Sequence, residues 1–409
     1  MHYRTYDPAK DKDAAHRIWM ETGWLEKGKE EIMDTMIAAG RSIVADLDGE
    51  PECMVNSAAA TMRYLDEEVP TCVITGVTTS RIARKQAFAR RLTAQSVANG
   101  VAEGAHLATL GMFEQGYYNQ IGFGTGGYER WVSFDPAGLL IKNKARVPRR
   151  ITVDMAEAVH AARLARWRGH GGCNILSPNM TKVEMMWSHS GFGLGYFDGP
   201  NGTISHCFWA GAKEVESGPY SIGFMAYQNG VQFLELMALL KNMGDQVRIV
   251  KMHEPRGIQI QDLISHPFKL RQMTQDSPFA AGTRAAAYWQ TRICDLNACL
   301  EQTHLRNGIV RFNLKLHDPI ASALDENAPW RGVGGDYVVT LGPTSGAEKG
   351  TDSALPTLSA SVGAFTRLWL GVLPASGLAI TDELSGPATL LDELDHVICV
   401  PEPKPEWDY

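Results

Sequence analysis

The sequence predicts an α/β (α+β) chain made of two mixed units of similar plan followed by a third α+β unit. Three observations predict it. An apolar run, a basic turn, an alanine-rich segment and a second apolar run follow one another over 72–112. The order strand, helix, strand returns, more weakly and without the basic turn, over 220–252. From Gly308 onward the pattern changes to short alternating runs joined by Gly- and Pro-rich turns.

In chain order, residues 11–39 read as helical, with Ala14, Ile18, Trp24, Ile32 and Met36 at apolar positions. Segments 41–47 and 53–64 read as strands of a meander around the turn Asp48-Gly49-Glu50-Pro51. Segment 72–77 is apolar throughout, as a buried strand is, and a turn carrying Arg81, Arg84 and Lys85 follows it. The helix expected next, to Glu103, places Phe88, Leu92, Ala98 and Val101 along one side. Strand 105–112, a Gly- and Tyr-rich turn and a last strand at 128–134 complete the first unit, and Asp135-Pro136-Ala137-Gly138 marks its boundary. The central unit reads as a helix at 154–167, strands at 183–186, 193–197, 204–209 and 220–227, a helix at 230–241 and a strand at 247–252. The third reads as strands at 309–316, 337–341 and 358–362 with helical pieces at 365–370 and 390–397; 342–356 has the composition of a flexible loop.

The 409 residues, 44% hydrophobic and 21% charged, suffice for several domains with a substantial core. No apolar stretch has the ~18 residues of a membrane span, and the opening residues do not read as a secretion signal. A net charge of −7 gives no reason to expect nucleic acid as a partner and is compatible with a cationic substrate. The seven cysteines are scattered and set mostly among apolar neighbours, which fits buried thiols in a reducing cytosol. Cys294 and Cys299 lack the His and the spacing of a zinc site, and no metal is expected.

Strand, basic turn and helix together can hold a phosphate, because the first turn of a helix has unpaired N–H groups and the positive end of the helix dipole. The small Ala87 and Ala89 would let a diphosphate reach that backbone, with Arg84 and Lys85 as countercharge. Spacing alone leaves open an ordinary strand–loop–helix with a solvated basic start.

The same stretch resembles the acyl-CoA-binding core of the GNAT acetyltransferases, and more narrowly the Eis (enhanced intracellular survival) family. Val77-Thr78-Thr79 stands at the strand end, Arg84-Lys85-Gln86-Ala87-Phe88 at the loop, and Tyr118-Asn119-Gln120-Ile121-Gly122-Phe123-Gly124 at the turn. Gln86 departs from the family's basic residue, Ala87 from its glycine, and Arg81 stands where proline is common. Trp289-Gln290-Thr291-Arg292-Ile293-Cys294-Asp295-Leu296 resembles the family's hinge into its last domain. The resemblance implies two tandem GNAT-like folds, the second degenerate and without cofactor, then a sterol-carrier-protein-like domain, with bounds at 1–137, 138–290 and 291–409. The connection Tyr227-Gln228-Asn229-Gly230 agrees, since it holds no Arg or Lys to meet a phosphate.

It further implies acetyl transfer from acetyl-CoA to a primary amine of a cationic, aminoglycoside-like small molecule or of a lysine, in a cytoplasmic homohexamer. Val77, Thr78 and Thr79 would hold the pantetheine arm and, with backbone N–H groups, polarise the carbonyl. Arg84, Lys85, Gln86, Ala87, Phe88, Ala89 and Arg90 would take the diphosphate, and Phe113 and Glu114 would complete the cofactor site. Tyr118 matches the general acid, with Tyr117 beside it as a competitor; a phenol of pKa about 10 facing a thiol of about 8.5 makes the transfer uphill by roughly 2 kcal/mol. The base implied by the resemblance is the terminal carboxylate of Tyr409, reached by threading the tail Glu406-Trp407-Asp408-Tyr409 back into the first unit; a frayed end is the alternative. Trp24, Glu21 and Glu26 either look onto the acceptor site or lie on a plain helix surface.

His106 reads as a core or edge histidine. Arg146, Arg149 and Arg150 read as a solvated linker face, and Arg163, Arg166 and Arg168 as the polar side of a helix. Gly191-Phe192-Gly193-Leu194-Gly195 is followed by strand-like sequence, which argues against a dinucleotide turn. Two other functions stay open: transfer from a different acyl-CoA, and a non-catalytic protein whose last domain carries an apolar ligand.

Overall fold

A computed structural model describes residues 2–267 and 276–408. The first unit comprises β1 (His2–Thr5), α1 (Pro8–Thr22), α2 (Glu30–Ile37), β2 (Arg41–Leu47), β3 (Glu50–Tyr64), β4 (Glu67–Thr79), α3 (Phe88–Ala102) and β5 (Leu107–Gly111). Local chemistry sets the elements. Asp7 caps α1 by accepting the Ala9 N–H, with Pro8 in the first turn, and Gly23 ends the helix at φ 77°. β1 to β4 are antiparallel neighbours, and β5 is parallel to β4. Side chains alternate between two cores, as a period of two requires. Ile43, Val55 and Ile74 face Phe88, Leu92 and Val97 of α3, whereas Val44, Met54 and Val73 face Trp19, Met33 and Met36 of α1 and α2.

The central unit repeats this plan. Strands Arg149–Ile151, Phe192–Tyr196, His206–Ala212 and Tyr220–Ala226 are antiparallel neighbours, and Val250–His253 lies parallel to the last. Helices α4 (Ala156–Leu164), α5 (Pro178–Trp187) and α6 (Gly230–Asn242) belong to this unit. The two sheets trade strands at the next position. Glu129–Phe134, expected to finish the first sheet, pairs with Val250–His253 in the second. Trp289–Ile293, expected as a hinge, pairs with β5 in the first. Cys173–Ile175 also crosses over, extending the far end of β3.

The third unit has a five-stranded sheet in which Val310–His317 and Thr357–Ser361 run parallel at the centre. Helices Val362–Trp369 and Ala388–Val397 contribute Phe365, Trp369 and Leu394 to its core. The architecture is thus two tandem GNAT-type folds and an additional α+β unit. Among the described residues no helix is long and apolar enough to cross a membrane.

Several local expectations are corrected. Segment 183–186 lies inside α5, because a short apolar run is ambiguous in period and Pro178 starts a helix there. The presumed loop 342–356 contains the strand Gly346–Lys349, folded as a hairpin on Gly335–Leu341 and tied down by Asn313, whose amide donates to the carbonyls of Asp352 and Leu355. Arg163 and Arg166 are buried rather than solvated. Arg146 is ion-paired with Asp198 and Glu235.

His170 joins the first and third units: one ring nitrogen accepts the Leu65 N–H at 3.0 Å and the other donates to the Leu370 carbonyl at 2.9 Å. Burial pushes this imidazole down to about 4. A depressed pKa means the neutral ring contributes fully above its unfolded value of about 6.5, and that contribution fades as pH falls toward 4; by linkage it is on the order of 3 kcal/mol. Urea titrations of wild type and His170→Gln between pH 7.5 and 4 check this: wild-type stability declines through that window, and the variant declines less.

Candidate functional site

β4 and β5 are paired over only four positions, Thr71 to Ile74 opposite Leu107 to Leu110. Beyond them β4 continues to Thr79 on β3 alone, with a register shift opposite Met54–Asn56 and Gly76 at φ 61°. The strands therefore part, and the backbone of Thr75, Gly76 and Val77 lines a cleft of about 450 Å³. A Cβ on Gly76 would lie 3.1 Å from Met36 and 3.2 Å from Trp19, and its φ disfavours any side chain, so glycine is required there.

At one end of the cleft the chain turns into α3. No side chain caps this helix, leaving the first-turn N–H groups open. Arg84 and Lys85 are exposed and form no ion pair among the described residues, and the Arg90 Nε is buried without a hydrogen-bond partner. Unpaired cations beside open N–H groups fit an anion such as a diphosphate. Gln86 folds back onto the Ile82 carbonyl. Phe88 is a correction in part: its ring is buried in the α3 core, so only its backbone N–H faces the turn. Thr78 is buried, Thr79 and Ala89 are half-buried, and Glu114 is exposed.

At the other end sits Tyr118, first residue of the short helix Tyr118–Ile121, with its ring 2% exposed. Tyr117, Phe113 and Phe123 touch it edge-on at 4.9, 6.3 and 6.2 Å. Burial, reinforced by Tyr117, holds its phenol well above the usual range, so it stays protonated. Tyr118 and Phe113 line the cleft together with Val77. His106 stands at the start of β5, away from the cleft.

The wall opposite β4 holds residues that sequence reasoning missed or left open. Trp19 and Trp24 come from α1 and the turn after it, Met36 from α2, and Trp187 from the last turn of α5 in the central unit. Of these, Trp24 and Met36 stood out as apolar positions of the opening helical pair, and only Trp24 was read as a candidate for the acceptor side. Glu21 instead accepts the Arg81 N–H, and Glu26 pairs with Lys29.

The C-terminal segment returns to this seam. The Pro405 carbonyl accepts the Cys173 N–H, and Arg166 donates to the Glu406 carbonyl. The Trp407 ring lies 3.7 Å from the Arg163 guanidinium, its N–H donates to Glu184 at 2.6 Å, and it shares a core with Trp19 and Met36. Burial raises the Glu184 and Glu406 carboxyls and lowers Arg166 to about 10. Tyr409 lies outside the described residues.

The acetyltransferase (GNAT) domain family matches residues 3–126, which include every element of this cleft from the first unit. No match was found among curated proteins. A probable N-acyltransferase of Enterococcus faecalis shares the fold over 100% of this chain and 99% of its own, with TM-score 0.78 and 16% identity. A GCN5-related N-acetyltransferase of Kribbella flavida does so over 100% and 98%, at 0.75 and 16%. Eis1 of Mycobacterium abscessus is similar over 100% of both chains, at 0.73 and 13%. These likenesses establish a common fold. The family match identifies residues 3–126 as an acetyltransferase (GNAT) domain.

Ala87 stands at φ 62°, ψ 14°, a left-handed conformation at the mouth of the anion site. For an L-residue this costs roughly 1–2 kcal/mol, against about 0.5–1 kcal/mol of extra chain entropy that glycine would lose. Ala87→Gly is accordingly expected to raise stability by up to about 1 kcal/mol, measured by chemical denaturation.

Proposed function

We propose that this chain moves the acetyl group of acetyl-CoA to a primary amine, of a small molecule or a lysine side chain. The observation that carries the reading is the parting of β4 from β5 directly beside an uncapped helix start with unpaired Arg84, Lys85 and Arg90. An acyl thioester on a long arm with a diphosphate at its end matches both halves. Residues 84–90 take the diphosphate, Val77 to Thr79 align the pantetheine arm, and a backbone N–H near Val77 polarises the carbonyl. The neutral amine attacks the carbonyl carbon. The C–N bond forms, the C–S bond breaks, the nitrogen gives up one proton, and the departing sulfur takes one from Tyr118.

The terminal carboxylate of Tyr409 is the proposed acceptor of the amine's proton. The tail's course as far as Trp407, in one core with Trp19 and Met36, supports the direction of threading. Residues 1–137 form the catalytic domain in this reading, 138–290 a degenerate GNAT-like domain, and 291–409 a sterol-carrier-protein-like domain. Homohexameric assembly in the cytosol belongs to the same resemblance.

CoA release with a panel of primary amines tests the chemistry. Tyr118→Phe is expected to lower kcat about 100-fold while leaving acetyl-CoA affinity unchanged; equal turnover would remove Tyr118 from the mechanism. Charge reversal at Arg84 and Lys85 together is expected to weaken acetyl-CoA binding at least about tenfold, less so at high salt, and calorimetry at two ionic strengths checks it.

A further inference from the structure

The acceptor half of the cleft has a composition that narrows the amine. Trp19, buried at 1% exposure, meets Trp24 edge-on at 5.7 Å and stacks on Trp187 at 6.1 Å. Trp24 and Trp187 remain 40% and 46% exposed, around one opening and from two different units. Exposed indoles grouped at a concave mouth mark a place where an apolar guest is covered. Among the described residues that line the cleft, none is Asp, Glu, Lys or Arg. The two acids flanking Trp24 are engaged elsewhere: Glu21 with the Arg81 N–H and Arg17, Glu26 with Lys29.

We infer that this cleft selects a primary amine borne on an aromatic or bulky apolar body, of the arylalkylamine class, over a polycation; the inference rests on the acetyltransferase reading above. A molecule with several ammonium groups would surrender its hydration to a wall where the one proposed carboxylate, that of Tyr409, could replace it for a single ammonium only. An arylalkylamine brings a single ammonium, which an indole face accommodates and which is deprotonated before attack, while its ring lies against Trp24 and Trp187. The net charge of −7 is spread over the chain and supplies no acid to this wall.

The test compares tryptamine and phenethylamine with kanamycin and a short lysine peptide, using CoA release by the full chain, wild type and the variants Trp24→Ala, Trp187→Ala and Trp24→Phe. The expected result is kcat/KM for the arylalkylamines about tenfold or more above kanamycin, with both alanine variants raising the arylalkylamine KM about tenfold at little change in kcat and Trp24→Phe restoring most of it. Acetyl-CoA affinity by calorimetry is expected to be unchanged in all of them. Preference for kanamycin or the peptide, or alanine variants with wild-type KM, overturns the inference while acetyl-CoA binding leaves the acetyltransferase reading standing. Failure of wild type to bind acetyl-CoA overturns both.

Discussion

The chemistry of this protein depends on one interrupted ladder. A strand with neighbours on both sides has its backbone groups paired along both edges, and a backbone group left unpaired away from water is costly. β4 gives up its β5 partner after Ile74, yet runs on to Thr79. The register shift at Gly76 bends β4, which remains paired with β3 as far as Thr79. What results is an edge of donors and acceptors inside a cleft, with no partner from the chain's own sheet. An extended amide-bearing arm is the kind of ligand that completes such an edge, as an added strand does in peptide recognition.

The wall facing that edge is assembled from distant sequence. Exchange of Glu129–Phe134 and Trp289–Ile293 between the sheets makes each unit incomplete without the other. Cys173–Ile175 extends the first sheet, and α5, which starts a few residues later, delivers Trp187 to the cleft. The buried Arg163–Glu184 pair, at 3.0 Å, sits under the Trp407 ring and fixes the C-terminal segment over the same seam. Burying such charges is unfavourable unless every partner is present, and here the guanidinium has a carboxylate, the Thr181 hydroxyl and two aromatic faces. The central unit, stripped of basic residues at its own helix start, serves as a buttress for the first unit's acceptor side.

Much of this was legible in the sequence because the signals were local. The order strand, basic turn, helix, strand at 72–112 follows from apolar runs and from the break at Arg81 to Gln86, and the Tyr-x-x-x-Gly turn located Tyr118. What escaped is what long-range pairing decides. Nothing in Glu129–Phe134 distinguishes the edge of one sheet from the edge of the next, since both require the same alternation. The run Val-Glu-Met-Met-Trp at 183–187 is compatible with strand or helix, so Trp187 could not be placed on any site. Arg163 and Arg166 read as solvent-facing because their counterparts lie outside their own helix: Asn174 beyond its end, Glu184 in α5 and Glu406 in the C-terminal segment.

Division of labour within the cleft follows from where charge is put. The anion end has surplus cations and an open helix start, whereas the acceptor end is aromatic and carries no charge among its described lining residues. Tyr118 lines the cleft together with the aromatic residues, with a phenol that burial keeps protonated. A proton held that firmly is not released to a resting thioester, which has little basicity to receive it. In the proposed reaction it becomes transferable only as the C–S bond breaks and negative charge gathers on sulfur, so the interaction would strengthen toward the transition state and not in the ground state. In the same proposed reaction, the burial that makes Tyr118 a poor acid in isolation thereby couples its proton to bond cleavage.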